Sequence, residues 1–190
     1  MADINKLKPF ILKWEGGFVD DKKDLGGATN KGVTLKTYKV YCEQKGKAVP
    51  TVEDLKSLPD EEWTDILRKF FWDNWRADEI ENQSIANILV DWVWASGGKG
   101  ITIPQALLGV AVDGKVGEVT LARINGYQPQ RELFDRIKKA RLDYVDDICS
   151  SRPANEKFRN GWCNRINDFE FEENDIRAVR HSERAAQHGE

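Results

Sequence analysis

The sequence predicts a mainly α-helical protein, and three observations predict it. Apolar side chains recur at spacings of three and four along most of the chain. Capping residues and glycines punctuate those stretches at helical intervals. One segment, residues 16–33, breaks the pattern with Gly16, Gly17, Gly26, Gly27 and Gly32, set among Asp20, Asp21, Asp24 and Asn30. That is turn chemistry, and it reads as a loop or a short β-hairpin.

Each element follows from its own signals. Ile4, Leu7, Phe10, Ile11 and Trp14 form one face of a first helix, with Asp3 as its N-cap and Gly16-Gly17 as its stop. Pro9 inside that pattern implies a kink or a later start. Thr34 caps a helix over about 35–45 with Leu35, Tyr38 and Cys42 on one face. Thr51-Val52-Glu53-Asp54 is a capping signal for a short helix ending near Leu58-Pro59. Asp60 starts a helix reaching about Asn74, with Trp63, Ile66, Leu67, Phe70 and Phe71 inward. Ser84 caps a helix over about 85–96, with Ile85, Ile88, Leu89 and Trp92 inward, and Gly97-Gly98 ends it. Two shorter stretches, about 101–109 and 117–125, flank a turn at Asp113-Gly114. A long helix over about 129–149 buries Leu133, Phe134, Ile137, Tyr144, Val145 and Ile148. Its residues Arg131, Arg136, Lys138, Lys139 and Arg141 read as a basic, solvated face. A last helix, about 153–169, turns Phe158, Trp162, Ile166 and Phe169 inward.

Composition narrows the chemistry by exclusion. The chain has 190 residues, enough for one domain or two small, directly packed ones. Its two histidines, His181 and His188, sit in a polar tail that reads as a frayed end. A folded body without histidine argues against Ser-His-Asp, Cys-His and histidine-zinc chemistry, so acid-base work falls to carboxylates, lysine or tyrosine. The net charge of −3 offers no basic field for nucleic acid. Cys42, Cys149 and Cys163 have no metal-binding spacing and read as reduced thiols. No metal or cofactor is expected. No apolar run is long enough for a membrane span, and Met1–Phe10 lacks the apolar centre of a signal peptide. Synthesis in the cytoplasm is therefore the expectation.

The segment Trp14–Thr34 carries the chemistry. Glu15 lies at the C-terminal end of an apolar helix, where the helix dipole disfavours an ionised carboxylate. Trp14 and Phe18 flank it and lower the local dielectric. Both effects favour the protonated form and suit Glu15 to general-acid work. Asp24 and Thr29 stand at the two ends of the Gly26-Gly27 turn, and a hairpin folds them back toward Glu15. An acid opposed by a second polar group across a cleft is what glycosidic cleavage needs. A solvated carboxylate beside an ordinary loop accounts for the same composition equally well.

The run Glu15-Gly16-Gly17, Asp21, Asp24, Gly26-Gly27, Thr29, Gly32 and Thr34 resembles the signature of glycoside hydrolase family 108, N-acetylmuramidases of phages, prophages and bacteria. Lys22 and Leu25 replace that pattern's prolines, and Val33 replaces its isoleucine. The resemblance implies a lysozyme-like helical domain with Glu15 as the catalytic acid. It leaves Asp24 and Thr29 both open as the second group. Asp91 and Ser96-Gly97 resemble the family's next motif, with Ala95 where an asparagine is expected and Trp94 beside it. Substrate binding is then expected of Thr34, Tyr38, Asp91 and Trp94. Residues 104–121 and the Phe158, Gly161-Trp162, Asn164-Arg165, Phe169 ending resemble a small peptidoglycan-binding helical module, in which Arg165 reads as a structural ion-pair partner.

These readings divide the chain into a catalytic domain at 1–97, a peptidoglycan-binding-like subdomain at 98–172 and a tail at 173–190. The implied activity is hydrolysis of the β-1,4 bond between N-acetylmuramic acid and N-acetylglucosamine. The implied partner is the peptidoglycan glycan strand, reached by a monomer after release through a holin or a secretion partner. The alternative is a non-catalytic wall-binding or secretion-assisting protein on the same fold.

Overall fold

The structure, a computed structural model, describes residues 1–20 and 27–173. Asp24, with the Asp21–Gly26 run of the motif, and both histidines lie outside the described residues. The protein is mainly α-helical, as the periodicity predicts, and divides into two compact units.

The first unit is Ile4–Trp72. Helix α1 (Ile4–Trp14) runs through Pro9, so the expected later start does not occur; Leu7 and Ile11 carry its buried stripe. Strands β1 (Thr29–Asn30) and β2 (Val33–Thr34) form a hairpin closed by Lys31 and Gly32. Both loop residues have positive φ, 47° and 79°. That is the geometry of the primed two-residue turns that match strand twist, and glycine takes the second place at no steric cost. Helix α2 (Leu35–Gln44) is capped by the Thr34 hydroxyl, which accepts from Thr37 N at 3.1 Å. Helix α3 (Val52–Lys56) has the full capping box of Thr51 and Asp54 that its sequence announces. Helix α4 (Asp60–Leu67) buries Trp63, Ile66 and Leu67 and continues as a π-helical turn, Arg68–Trp72.

Two polar groups tie the hairpin to these helices. Asn30, nearly fully buried, donates to the carbonyls of Leu55 at 2.8 Å and Lys56 at 3.0 Å, satisfying acceptors at the C-terminal end of α3. The Trp63 indole donates to Lys31 O at 2.9 Å.

The second unit is Met1–Asp3 together with the chain from Asp73 onward. The N-terminal residues join it through Ala2 N, which donates to Ile80 O at 2.8 Å, and Asp3 N, which donates to Gln83 Oε1 at 2.7 Å. Its central element is α5 (Gln83–Ser96), which starts two residues earlier than expected because the Asn82 side chain, and not Ser84, accepts from the backbone of Ile85. Of the nine consecutive residues Ile85–Val93, only Asn87 is not buried. A helix covered on nearly every face sits at the centre of its unit.

Helix α6 (Lys99–Leu108) approaches α5 at Gly100, where a Cβ would stand 2.5 Å from Val93 N and 2.6 Å from Trp92 C. Buried Gln105 holds the Asp113-Gly114 turn. Its amide donates to Asp113 Oδ1 and Lys115 O, and its oxygen accepts from Gly114 N. Helices α7 (Glu118–Asn125), α8 (Gln130–Ser151) and α9 (Glu156–Asn167) complete the unit. Val145 and Cys149 of α8 pack with Ile166 of α9. Phe158 departs from its expected inward place: it is 48% exposed and stacks on Trp162.

Candidate active site

The N-terminal unit builds the candidate site from backbone pairing. Glu15 follows α1 directly; its N–H donates to Ile11 O at 3.0 Å, so the helical turn carries the residue to a half-buried position beside Trp14. After Gly16-Gly17 the chain returns at Val19, whose N–H and C=O both pair with Thr29 at 2.8 Å. Thr29 in turn lies opposite Thr34 across the hairpin. Thr29 is thus the middle rung of a three-segment ladder, Val19–Thr29–Thr34.

Directly opposed residues project to one face of a ladder, and their neighbours to the other. The burial follows that alternation. Asn30 and Val33 are 5% and 1% exposed, while Val19 is 56% exposed and Thr29 and Thr34 are half-buried. Thr29 therefore faces the open side of the hairpin. Its hydroxyl makes one long contact, 3.4 Å to Gly27 O.

The structure gives the other sequence candidates different places. The Thr34 hydroxyl is committed to the cap of α2, at 3.1 Å from Thr37 N and 3.0 Å from Thr37 Oγ1. Tyr38 is buried, and its hydroxyl donates to Glu62 at 2.8 Å, joining α2 to α4. Burial, then the hydrogen bond and charge of Glu62, push the Tyr38 phenol well above its ordinary ionisation range.

In the C-terminal unit Trp94 is half-buried and Asp91 is fully buried. Asp91 lies between two guanidiniums. Arg165 donates to it through Nη2 at 2.6 Å and Nε at 3.2 Å, and Arg141 donates through Nη2 at 3.0 Å. Arg165 is the structural ion-pair partner that the sequence suggests.

Arg141 is a correction. It belongs to the buried stripe of α8 and not to a solvated basic face. Its side chain is 3% exposed. The signal was present: Leu133, Ile137, Arg141 and Val145 succeed one another at intervals of four, so Arg141 occupies a core position of the helix. Burial works against its charge and Asp91 opposes that effect. A cavity of about 170 Å³ opens beside it, lined also by Trp92, Tyr144, Trp162 and Arg165. No local pattern announces that cavity, because its walls come from α5, α8 and α9 together.

The glycosyl hydrolase 108 family matches residues 8–97, and a family described as a predicted peptidoglycan domain matches residues 99–167. The solved structure of Brucella abortus SagA is similar at a TM-score of 0.72 and 27% identity, covering 93% of each chain. No curated protein matches. Among the described residues no helix is long and apolar enough to cross a membrane. Residues 8–97 are thus similar to the glycosyl hydrolase 108 family, and the match to a predicted peptidoglycan domain follows directly behind.

Proposed function

We propose that this protein is an N-acetylmuramidase. It hydrolyses the β-1,4 bond between N-acetylmuramic acid and N-acetylglucosamine in peptidoglycan, with Glu15 as the general acid. The observation that carries the reading is the place of Glu15: a half-buried carboxylate at the end of α1, next to a glycine pair, in the segment that matches a glycosyl hydrolase family. A carboxylic acid at that place can give its proton to the leaving oxygen.

The second group acts on the opposite side of the sugar, activating water or attacking the anomeric carbon. Thr29 is a candidate because it lies on the open face of the ladder with a weakly engaged hydroxyl. Asp24 is the other candidate by its place in the motif. A threonine would position water, and an aspartate would take its proton or act as nucleophile. The chain meets the glycan strand in the cell wall, after export by a holin or a secretion partner.

The test is digestion of purified sacculi by the wild type and by Glu15→Gln, with the products read by mass spectrometry. Removing a general acid lowers the rate by about 10²–10⁴. We expect muropeptides ending in reducing N-acetylmuramic acid from the wild type and a loss of that size in the variant. Release at the wild-type rate by Glu15→Gln removes the assignment. Binding to sacculi without release, by both proteins, supports a wall-binding or secretion-assisting role instead.

A further inference from the structure

The open face of the hairpin holds a side chain that the proposed mechanism does not use. Val19 exchanges both backbone hydrogen bonds with Thr29, at 2.8 Å each, so the two residues stand directly opposite one another and project to the same face. The flanking residue bears out the alternation. Lys56 of α3 lies over the Phe18 ring, 5.7 Å from its centroid, on the side where Asn30 bonds the carbonyls of Leu55 and Lys56. Phe18 is therefore on the α3 side of the hairpin, and Val19 is on the other. Val19 is 56% exposed although both its backbone groups are paired, so an apolar side chain is held at a fixed place in the open. Thr34, the third residue of that face, spends its hydroxyl on the cap of α2. Across the ladder, Thr29 offers the weakly engaged hydroxyl and Val19 the exposed apolar surface.

Spacing connects that surface to the substrate. Side chains directly opposed across an antiparallel pair have Cβ atoms about 4.5–5.5 Å apart. A pyranose ring with its substituents is wider than that, so a sugar that reaches the Thr29 hydroxyl also covers Val19. The valine side chain has no hydrogen-bonding atom, and what it meets favourably is a C–H face or a methyl group of that sugar.

We propose that Val19 is a further substrate contact, packing against the apolar surface of the sugar held over Thr29. It contributes to binding and takes no part in bond cleavage. The inference rests on the glycan-hydrolase reading of the N-terminal unit; the shared face of Val19 and Thr29 rests on the backbone pairing alone.

The experiment uses the full chain and a soluble, peptide-free glycan of alternating N-acetylglucosamine and N-acetylmuramic acid. Steady-state rates are measured for the wild type, Val19→Thr and Val19→Ala, and Kd values for the same substitutions in a Glu15→Gln background. Val19→Thr keeps the branched shape and the strand preference while replacing one methyl group by a hydroxyl. Each methyl group withdrawn from contact corresponds to about a 4-fold loss of binding. We expect KM and Kd to rise about 4-fold in Val19→Thr and about 4- to 16-fold in Val19→Ala. A contact made equally in the ground and transition states leaves kcat unchanged in both, and Val19→Thr should melt with the wild type. Val112→Thr, a change at the same 56% exposure in the C-terminal unit, should alter neither constant. A Val19→Thr effect that vanishes on the N-deacetylated glycan assigns the contact to the acetamido methyl group, and one that persists assigns it to the ring C–H face. Unchanged KM and Kd in both Val19 variants, a fall in kcat at unchanged KM, or an equal effect in Val112→Thr overturns the contact. Binding without digestion by the wild type overturns the hydrolase reading, and the Kd values then decide the contact by themselves. Neither binding nor digestion by the wild type overturns both.

Discussion

Asp91 separates a substrate contact from a structural charge, because the two roles make opposite predictions for Asp91→Asn. The side chain is fully buried and takes hydrogen bonds from Arg141 at 3.0 Å and from Arg165 at 2.6 and 3.2 Å. Asparagine keeps the shape but removes the charge and turns an NH₂ toward donors. Arg141, 3% exposed, cannot swing to water, whereas Arg165, at 12%, relaxes in part. Breaking a buried ion pair by removing one partner costs about 3–5 kcal/mol, and the partial freedom of Arg165 places this case near 3 kcal/mol. For chains of this length each kcal/mol moves the melting temperature by about 2–4 °C, so a fall of roughly 6–12 °C is expected. Circular dichroism and calorimetry measure it in the transition of the C-terminal unit. Adding Arg141→Met should recover part of the loss, since the stranded cation goes with it. If Asp91→Asn melts within about 2 °C of the wild type while sacculus binding falls, the buried-charge reasoning is wrong and Asp91 is a ligand contact.

Two further outcomes follow from packing and titration. Gly100→Ala places a methyl group 2.5–2.8 Å from the backbone of Trp92 and Val93, so α5 and α6 must separate; a loss of about 1–3 kcal/mol in urea unfolding is expected despite alanine's helix preference. Tyr41 is pushed up to about 12 by burial and by Asp65, and Tyr38 higher still. A phenol whose folded ionisation lies above its unfolded value, about 10, stabilises fully below pH 10 and loses that contribution as pH rises through the folded value. Absorbance titration should therefore leave Tyr38 and Tyr41 un-ionised at about pH 11 in the folded protein, and both should ionise on adding denaturant.

Helices were legible in the sequence wherever a local signal sufficed. The capping box at Thr51–Asp54, the Thr34 cap and the Gly97 stop all stand where the residues announce them. The misreadings concern groups whose surroundings come from distant segments. Arg141 reads as solvated if only the charges beside it on α8 are counted; its burial comes from Asp91, fifty residues earlier, and from Trp92 and Phe169, whose rings lie 5.7 and 5.5 Å from its guanidinium. Phe158 reads as core by periodicity, yet it lies in the first turn of α9, and the apolar packing of that helix on α8 comes further on, at Trp162, Cys163 and Ile166. Asn82 displaces Ser84 as the cap because both residue types serve and only the backbone conformation chooses between them.

What holds each candidate in place also sorts the sequence-predicted site. Glu15 is positioned by a backbone bond to Ile11, and Thr29 by backbone pairs to Val19 on one side and the hairpin on the other. Backbone pairing fixes both positions, whichever side chain they carry. Thr34, Tyr38 and Asp91 are the reverse: a cap, a tie between α2 and α4, and the counter-charge of two arginines. Their side chains are the scaffold, and substituting them perturbs any site indirectly. A loss of lysis in Glu15→Gln or Thr29→Ala with an unchanged melting temperature is therefore a statement about chemistry. The same loss in Tyr38→Phe or Asp91→Asn is a statement about chemistry only after the change in stability has been subtracted.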